Sequence, residues 1–451
     1  MELMVALGWA SLMLCIGMLL RGKIRFLQNM LVPSSVLAGI LGIIFMNVAM
    51  TLRIDIGTDN QMFTDIVNQM FTLSFISISL TSNQASENGT KGVLKGAVAL
   101  GLVWNLLYAL TPLIGAAIVS VAGSITEMPS VYGMLVQFAF CQGPGQSAAY
   151  GAIFEQYGWE NATMVAVTLS AIGFVAAFLI GVPIAKLGIK RGIAKRCGKL
   201  DERILKGYLK REEQTEQMVK DTTCNSNIET LAFHFALIGV CYLLAVLIGR
   251  CLSYLPGFLG SSMSAMMFMN GMYAAYIVKY LMKKLRLDFL QDNVLQNKIT
   301  GWTSDYLVVC AFMAISVNVI REWTGIILIL SVIITIITGV VCFYFGRRIG
   351  GDNDFERTLG LYGTCTGTVP SGVALVRIVD PNFQSSVAVE LGASNLVMIG
   401  STPVYLIILA FASGTIEMKW AMVGLIVCVG LYLALLKITK TWGKPTYSWK
   451  E

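Results

Sequence analysis

Two short runs rich in glycine and proline interrupt apolar segments of this 451-residue chain. The first reads QGPGQS from Gln142 to Ser147, and the second reads GTCTGTVPSG from Gly363 to Gly372. Glycine lets the backbone turn sharply and lets a ligand approach it closely. A half-helix that begins at such a break offers free N–H groups and the positive end of its dipole to a carboxylate. Unwound carbonyls and hydroxyls supply hard oxygens suited to Na⁺.

These runs therefore predict a site for a small carboxylate and a cation between two broken helices. The competing interpretation is that the glycines only permit tight helix packing. Two such runs at equivalent positions of a repeat favour binding over packing alone. The predicted substrate-binding residues are Gln142, Gly143, Pro144, Gly145, Gln146, Ser147, Thr364, Thr366, Gly367, Thr368 and Ser371.

An acidic residue inside an apolar segment is the first candidate for binding the cation. Glu390 lies near the start of the apolar segment 386–412, and Asn395 follows about one turn later. A charge within a membrane span is a functional candidate by default. Both residues are therefore candidate Na⁺ ligands. Glu390 could alternatively carry a proton or form an ion pair near the cytoplasmic surface, and Asn395 could contact the substrate.

Membrane-spanning helices are the elements that must position these residues. Hydrophobic residues make up 56% of the chain and charged residues 13%, with a mean hydropathy of +0.70. A helical crossing consumes about 20 apolar residues, so the composition predicts an all-α polytopic membrane protein. The predicted spans lie near 3–20, 31–50, 62–82, 93–120, 160–188, 229–251, 257–280, 303–320, 324–346, 386–412 and 420–437.

The distribution of Lys and Arg predicts the orientation. With the N-terminus outside, and with each broken segment entering and leaving on one face, all but four of the 33 basic residues are cytoplasmic. The two broken segments are therefore predicted to be re-entrant hairpins. The hairpin near 129–157 enters from outside and the hairpin near 355–377 enters from the cytoplasm. The C-terminus is then cytoplasmic.

The two halves of the chain repeat one another. Gly143 corresponds to Gly363 and Pro183 to Pro403, each pair 220 residues apart. Five crossings in each half would invert the second copy in the membrane, as in many secondary transporters. The predicted organisation is a first repeat over 1–188, a basic cytosolic linker over 189–228, an inverted second repeat over 229–412, and an extra transmembrane helix with a cytosolic tail over 413–451.

Several classes of function are disfavoured. The net charge is +7, but the basic residues fall between apolar runs and form no single face for nucleic acid. The ten cysteines form no CxxC, and one histidine cannot build a His-rich metal site. The chain has no P-loop and gathers no acid, base and nucleophile at one depth. We therefore predict a carrier with Na⁺ as coupling ion, not an enzyme, and no organic cofactor.

A family resemblance is carried by three motifs of the first half: Gly143 to Tyr150 (GPGQSAAY), Tyr157 to Thr163 (YGWENAT) and Gly181 to Pro183 (GVP). With the run from Gly363 to Ala374, they resemble the bacterial sodium/glutamate symporter family over about residues 1–412. The resemblance implies Na⁺-coupled uptake of L-glutamate, a homodimer in the bacterial cytoplasmic membrane, and elevator-like movement of a hairpin-bearing domain against a scaffold.

The chain departs from the family pattern at the tips. Gln142 replaces the first of two glycines, Pro144 and Gln146 stand where the family has His and Thr, and Cys365 replaces a glycine. A symporter for another amino acid or a dicarboxylate therefore stays open. Two further alternatives are a proton-coupled or Na⁺/H⁺-exchanging carrier of the same architecture, with Glu390 as proton carrier, and a channel.

Overall fold

The computed structural model describes residues 2–30, 32–81, 90–194, 196, 222–223, 227–256, 258–317, 321–380 and 384–448. These ranges are helical and contain no strand. Most of the predicted linker 189–228 lies outside them. The helices are α1 (Glu2–Lys23), α2 (Arg25–Met30), α3 (Ser34–Thr51), α4 (Asn60–Leu80), α5 (Thr90–Thr126), α6 (Val136–Gln142), α7 (Pro144–Gln156), α8 (Ala162–Lys190), α9 (Thr230–Leu252), α10 (Phe258–Ala265), α11 (Met267–Lys284), α12 (Asn293–Met313), α13 (Thr324–Gly346), α14 (Asp354–Thr366), α15 (Val369–Val379), α16 (Val387–Met398), α17 (Thr402–Ala412) and α18 (Met418–Ile438).

Eight helical segments in the described ranges are long and apolar enough to cross a membrane. They comprise α1, α3, α5, α8, α9, α13, the pair α16–α17, and α18. The prediction of an all-α polytopic membrane protein is therefore confirmed. The inverted repeat remains a prediction.

The span predicted at 303–320 is wrong in its position. The structure has α12 there, which begins and ends several residues earlier in the chain. It begins at Asn293, where the Asp292 carboxylate accepts a 2.7 Å hydrogen bond from the Leu295 N–H, and it ends at Met313. Its first half is polar but packs against α4, where Gln296 Nε2 donates to Ser77 Oγ at 2.9 Å. Hydropathy misses such a half-helix because protein partners, not water, satisfy its polar groups.

Contacts between helices divide the chain into two compact units. Unit 1 comprises Met1–Cys15, Ala38–Ala85 and Leu209–Ala314, and unit 2 comprises Ile16–Leu37, Ser86–Tyr208 and Ile315–Glu451. Each unit draws on both halves of the sequence.

Unit 1 is built around α4, which packs against α9, α11 and α12. Ile76 and Leu80 of α4 share one buried cluster with Ile238 and Cys241 of α9. Thr300 Oγ1 of α12 adds a second 2.9 Å hydrogen bond to the Ser77 hydroxyl. The unit is thus held by apolar packing and by an interhelical polar network.

Unit 2 contains both broken segments. The first is the pair α6–α7 and the second is the pair α14–α15. Helix α8 packs against all four of these short helices, while α5 packs against α6, α16 and α18. Long apolar helices therefore surround the two breaks, as irregular backbone at membrane depth requires.

A segment after α18, residues 439–448, folds back onto the start of α14 within unit 2. Thr446 Oγ1 donates to Asp354 Oδ2 at 2.8 Å, and the Tyr447 phenol donates to Thr358 Oγ1 at 2.9 Å. Burial raises the pKa of the Tyr447 phenol, so it stays protonated and able to donate. This segment braces the base of the second hairpin.

Candidate functional site

The first break lies at Gly143, between α6 and α7. Its backbone angles, φ 80° and ψ −169°, belong to a region that essentially only glycine occupies. Pro144 then opens α7 at its first position, where a missing N–H costs nothing. The chain thus reverses direction within a single residue, and a new helix N-terminus begins at the turn.

The second break lies at Gly367 and Thr368, between α14 and α15. Thr368 is extended, with φ −148° and ψ 170°, whereas Gly367 is neither helical nor extended, with φ −151° and ψ −98°; Pro370 occupies the first turn of α15. The Thr368 hydroxyl lies 3.3 Å from the Ser371 hydroxyl. Gly363, which the repeat places at the tip, lies inside α14 instead. The break comes four residues later because Pro370 prevents α14 from continuing.

The two tips touch each other. A Cβ on Gly143 would overlap the Thr368 methyl group and would lie 3.1 Å from the Gly367 carbonyl oxygen. The buried thiols of Cys141 and Cys365, each two residues before its tip glycine, lie within interaction distance of each other. The N-termini of α7 and α15 therefore begin side by side in unit 2, as the sequence predicts for a shared site.

Three of the predicted hydroxyl groups donate within their own helices. Ser147 Oγ donates to the Gly143 carbonyl at 2.9 Å, Thr364 Oγ1 to that of Gly360 at 2.8 Å, and Thr366 Oγ1 to that of Tyr362 at 2.7 Å. Each proton is therefore used locally. The oxygen lone pairs remain as acceptors for an ammonium group or a cation.

The amides of the first tip differ in their partners. Gln142 Oε1 accepts a 3.0 Å hydrogen bond from the Tyr108 phenol of α5, which stacks on Trp104. The Trp104 indole N–H donates to the Cys141 carbonyl at 2.9 Å. Gln146 is 6% exposed, and its Oε1 has no hydrogen-bond partner among the described residues. One amide is thus held in place, and the other presents a free oxygen.

Glu390 does not face the tips but pairs with Arg357. The Arg357 Nε donates to Glu390 Oε2 and its Nη2 to Oε1, both at 2.7 Å, and its Nη1 reaches Asp354 Oδ1 at 3.0 Å. Ser386 Oγ donates to Glu390 Oε1 at 2.7 Å. A Cβ on Gly96 of α5 would overlap this carboxyl group. The geometry is that of a buried, bidentate ion pair.

The ion pair lies at the base of the second hairpin. Arg357 and Thr366 are nine residues apart on α14, so a rise of 1.5 Å per residue separates them by about 13 Å. Asn395 is exposed on α16. The structure therefore brings the two predicted tips together but places neither Glu390 nor Asn395 with them.

Sequence reasoning missed four residues that contact or brace the site. Trp104 and Tyr108 are one turn apart on α5, and this spacing could have indicated an aromatic pair with polar edges. Asp354 and Arg357 have the i,i+3 spacing of a helical ion pair. This spacing at the start of the second broken segment was the available signal.

Residues 1–385, which include both hairpins, match the family model described as "Sodium/glutamate symporter". The chain belongs to the sodium/glutamate symporter family. The resemblance found in the sequence is therefore confirmed, and with the apolar helices it makes the chain a multi-pass membrane protein of a transporter family. Glu390 and α18 lie beyond the matched residues.

Individual symporters show the same likeness. The sodium/glutamate symporter of Haemophilus influenzae is 24% identical over 390 residues, which is 84% of this chain and 89% of that protein. The sodium/glutamate symporter of Escherichia coli K12 is 27% identical over 202 residues, 42% of this chain and 45% of that protein. The protein of the same name from Shigella flexneri gives the same figures.

Proposed function

We propose that this chain couples Na⁺ entry to the uptake of L-glutamate, or of a related small carboxylate, across the bacterial cytoplasmic membrane. The observation that carries the proposal is the meeting of two helix N-termini at the tips, inside the residues that match the symporter family. The relatives named sodium/glutamate symporters support the choice of ion and substrate.

The substrate carboxylate is proposed to bind at the N-termini of α7 and α15. Helix α6 and helix α7 carry no Lys or Arg, so a basic side chain of the first hairpin cannot supply the positive charge. Free N–H groups at two helix starts provide it instead. The acceptor oxygens of Ser147, Thr364 and Thr366, whose protons are used within their own helices, are proposed to receive the substrate ammonium group.

The coupling ion is proposed to bind to neutral oxygens near the tips. Coordination by Glu390 would bring a second cation against the Arg357 guanidinium, which already donates to both carboxylate oxygens. The exposed side chain of Asn395 offers no enclosed site. The same ion pair argues against Glu390 as the carrier of a coupled proton.

Alternating access is proposed to occur by an elevator-like movement of unit 2. Both hairpins and their supporting helices belong to this one compact unit, which supports its movement as a rigid body. The N-terminus is proposed to lie outside, the C-terminus in the cytoplasm, and the protein to act as a homodimer. Mass photometry of the detergent-purified protein tests the dimer.

Uptake of radiolabelled L-glutamate into proteoliposomes tests the function. An inward Na⁺ gradient is imposed, and an equal K⁺ gradient is the control. We expect accumulation above equilibrium with Na⁺ only. Accumulation driven by an imposed pH gradient without Na⁺ would contradict the choice of ion. Na⁺-driven uptake of another amino acid or a dicarboxylate, but not of glutamate, would contradict the choice of substrate.

A further inference from the structure

A second group of buried polar atoms lies between one and two helical turns from the first tip, on α6 and α8. Gln137 and Ser170 are both fully buried, with no exposed surface. Across the residues that the structure describes, neither the two amide atoms of Gln137 nor the hydroxyl of Ser170 has a hydrogen-bond partner. Buried polar groups are almost always paired, so three unpaired atoms in one region indicate a missing ligand.

The register of α6 and α8 places Gln137 at the level of Ser170. Two contacts give the direction of α8 relative to the first broken segment. Thr163, at the start of α8, would meet a Cβ on Gly151 of α7, and Phe174, about three turns later, would meet a Cβ on Gly143 at the tip. Helices α6 and α8 therefore both run towards the tip. Near the tip, a Cβ on Gly173 would lie 3.6 Å from the Phe140 ring.

One turn back from that contact, each helix presents a polar residue on the same face. Gln137 precedes Phe140 by three residues, and Ser170 precedes Gly173 by three. Residues three apart share one side of a helix. This spacing puts Gln137 and Ser170 at the same level of the α6–α8 contact.

A backbone carbonyl of the second hairpin reaches the same place. The Thr366 oxygen would lie 2.7 Å from a Cβ on Gly173, so this approach to α8 requires glycine there. The residue four positions after Thr366 is Pro370, which has no N–H, so this carbonyl lacks its usual helical donor. A hard oxygen with unused lone pairs therefore points at the α8 face that bears Ser170.

We infer that Gln137 Oε1, Ser170 Oγ and the Thr366 carbonyl oxygen bind the coupling Na⁺. This inference rests on the proposed Na⁺-coupled symport. All three atoms are neutral, hard oxygens, the type that unwound helices offer to Na⁺ in secondary transporters. The described residues contain no group of three or more His, Cys, Asp or Glu that could hold a metal ion, so carboxylates would not draw a divalent cation here. The Gln137 NH₂ donates to a water that completes the ion's shell.

Ion binding at this position links three elements: α6, α8 and the end of α14. The ion would hold the Thr366 carbonyl, and with it the second tip, against the first hairpin. Na⁺ would thereby order the acceptor groups that receive the substrate. This gives a physical route for coupling, because the ion favours the conformation that binds substrate.

Two substitutions in the full-length protein test the site. Gln137→Leu removes the amide and Ser170→Ala removes the hydroxyl. Each is measured for the Na⁺ concentration giving half-maximal uptake, for the glutamate KM at saturating Na⁺, and for the thermal shift caused by Na⁺ without substrate. We expect the half-maximal Na⁺ concentration to rise about tenfold or more, since loss of even outer-shell partners lowers metal affinity about 10–100-fold. The KM at saturating Na⁺ should change less than twofold.

Two further variants serve as controls. Gln137→Glu keeps an oxygen ligand and should retain Na⁺ binding. Thr338→Val removes another fully buried hydroxyl without a partner in the described residues, on α13, and should leave the Na⁺ dependence unchanged. If Gln137→Leu does not fold, Ser170→Ala carries the test.

The outcomes separate the site from the function. A raised glutamate KM with unchanged Na⁺ dependence would assign these atoms to the substrate and overturn the inference. If neither the Na⁺ dependence nor the glutamate KM changes, these atoms bind only a structural water, and the inference is likewise overturned. If wild-type protein takes up no glutamate, the proposed function fails. A Na⁺-induced thermal shift that Gln137→Leu abolishes would then still support the site.

Discussion

Arg357 of α14 and Glu390 of α16 are joined by two parallel hydrogen bonds of 2.7 Å inside unit 2. Glu390 is fully buried, and the Arg357 side chain is 7% exposed. Asp354 and Ser386 complete the polar shell of this pair. The base of the second hairpin is therefore fixed to α16 by compensated charges.

Replacing Glu390 by Gln should destabilise the protein strongly. The substitution removes one of the two carboxylates that pair with Arg357, and hydrogen bonds to charged groups contribute about 1.5–3 kcal/mol each. The thermal unfolding temperature of the detergent-purified protein measures this. The triple variant Asp354→Asn, Arg357→Met, Glu390→Leu removes all three charges of this group together and should recover much of the loss. If Glu390→Gln instead weakened Na⁺ binding without lowering stability, Glu390 would be an ion ligand.

Replacing Gly143 by Ala should abolish most transport. An alanine would occupy a glycine-only backbone region at a cost of about 1–3 kcal/mol, and its Cβ would overlap the Thr368 methyl group. The tips would separate, and we expect uptake to fall more than tenfold while the protein remains folded. Gly392→Ala on α16, where a Cβ meets nothing within 4 Å, is the matched control. Wild-type uptake by Gly143→Ala would refute contact between the tips as a requirement.

Replacing Tyr108 by Phe should weaken substrate binding moderately. The variant keeps the stacking on Trp104 but loses the 3.0 Å hydrogen bond that orients Gln142. A neutral hydrogen bond contributes about 0.5–1.5 kcal/mol, so the glutamate KM should rise about 2- to 10-fold. Tyr132→Phe, which loses a comparable bond to the Glu160 carbonyl, should not change the KM. Equal effects of both variants would mean a general loss of stability.

Removing the brace at the second hairpin should lower stability and leave ion affinity unchanged. The double variant Thr446→Val, Tyr447→Phe loses the hydrogen bonds to Asp354 and Thr358, at about 1 kcal/mol each. The unfolding temperature should therefore fall. Tyr254→Phe, at a phenol that is 88% exposed, is the control. A shifted Na⁺ dependence in the double variant would show that the brace acts on the ion site.

The sequence predicted a helix break in each of the two glycine- and proline-rich runs because glycine and proline act locally. Gly143 and Pro144 define the first break from their own backbone requirements, without reference to distant residues. The second break lies four residues after Gly363, where the repeat predicts it. That run contains several glycines, each of which could end a helix, and Pro370 fixes which of these positions does so. Long apolar helices could be predicted for a similar reason, because the hydropathy of a segment depends only on its own residues.

Pairings between distant residues could not be predicted in this way. Arg357 and Glu390 are separated by 33 positions, and either could have faced a ligand, water or another partner. The burial of Gln296 in α12 likewise depends on Ser77 of α4. Hydropathy counts such residues as polar, whereas the fold satisfies them inside the protein.

The hydrogen bonds between Ser77 and Gln296 span 219 positions of the chain. During synthesis, α4 is therefore made long before α12 exists, and the Ser77 hydroxyl gains its final partners only after α12 has been made. Unit 1 can close only after the second half of the protein has been inserted. Assembly of this carrier thus follows the order of contacts in space and not the order of residues along the chain.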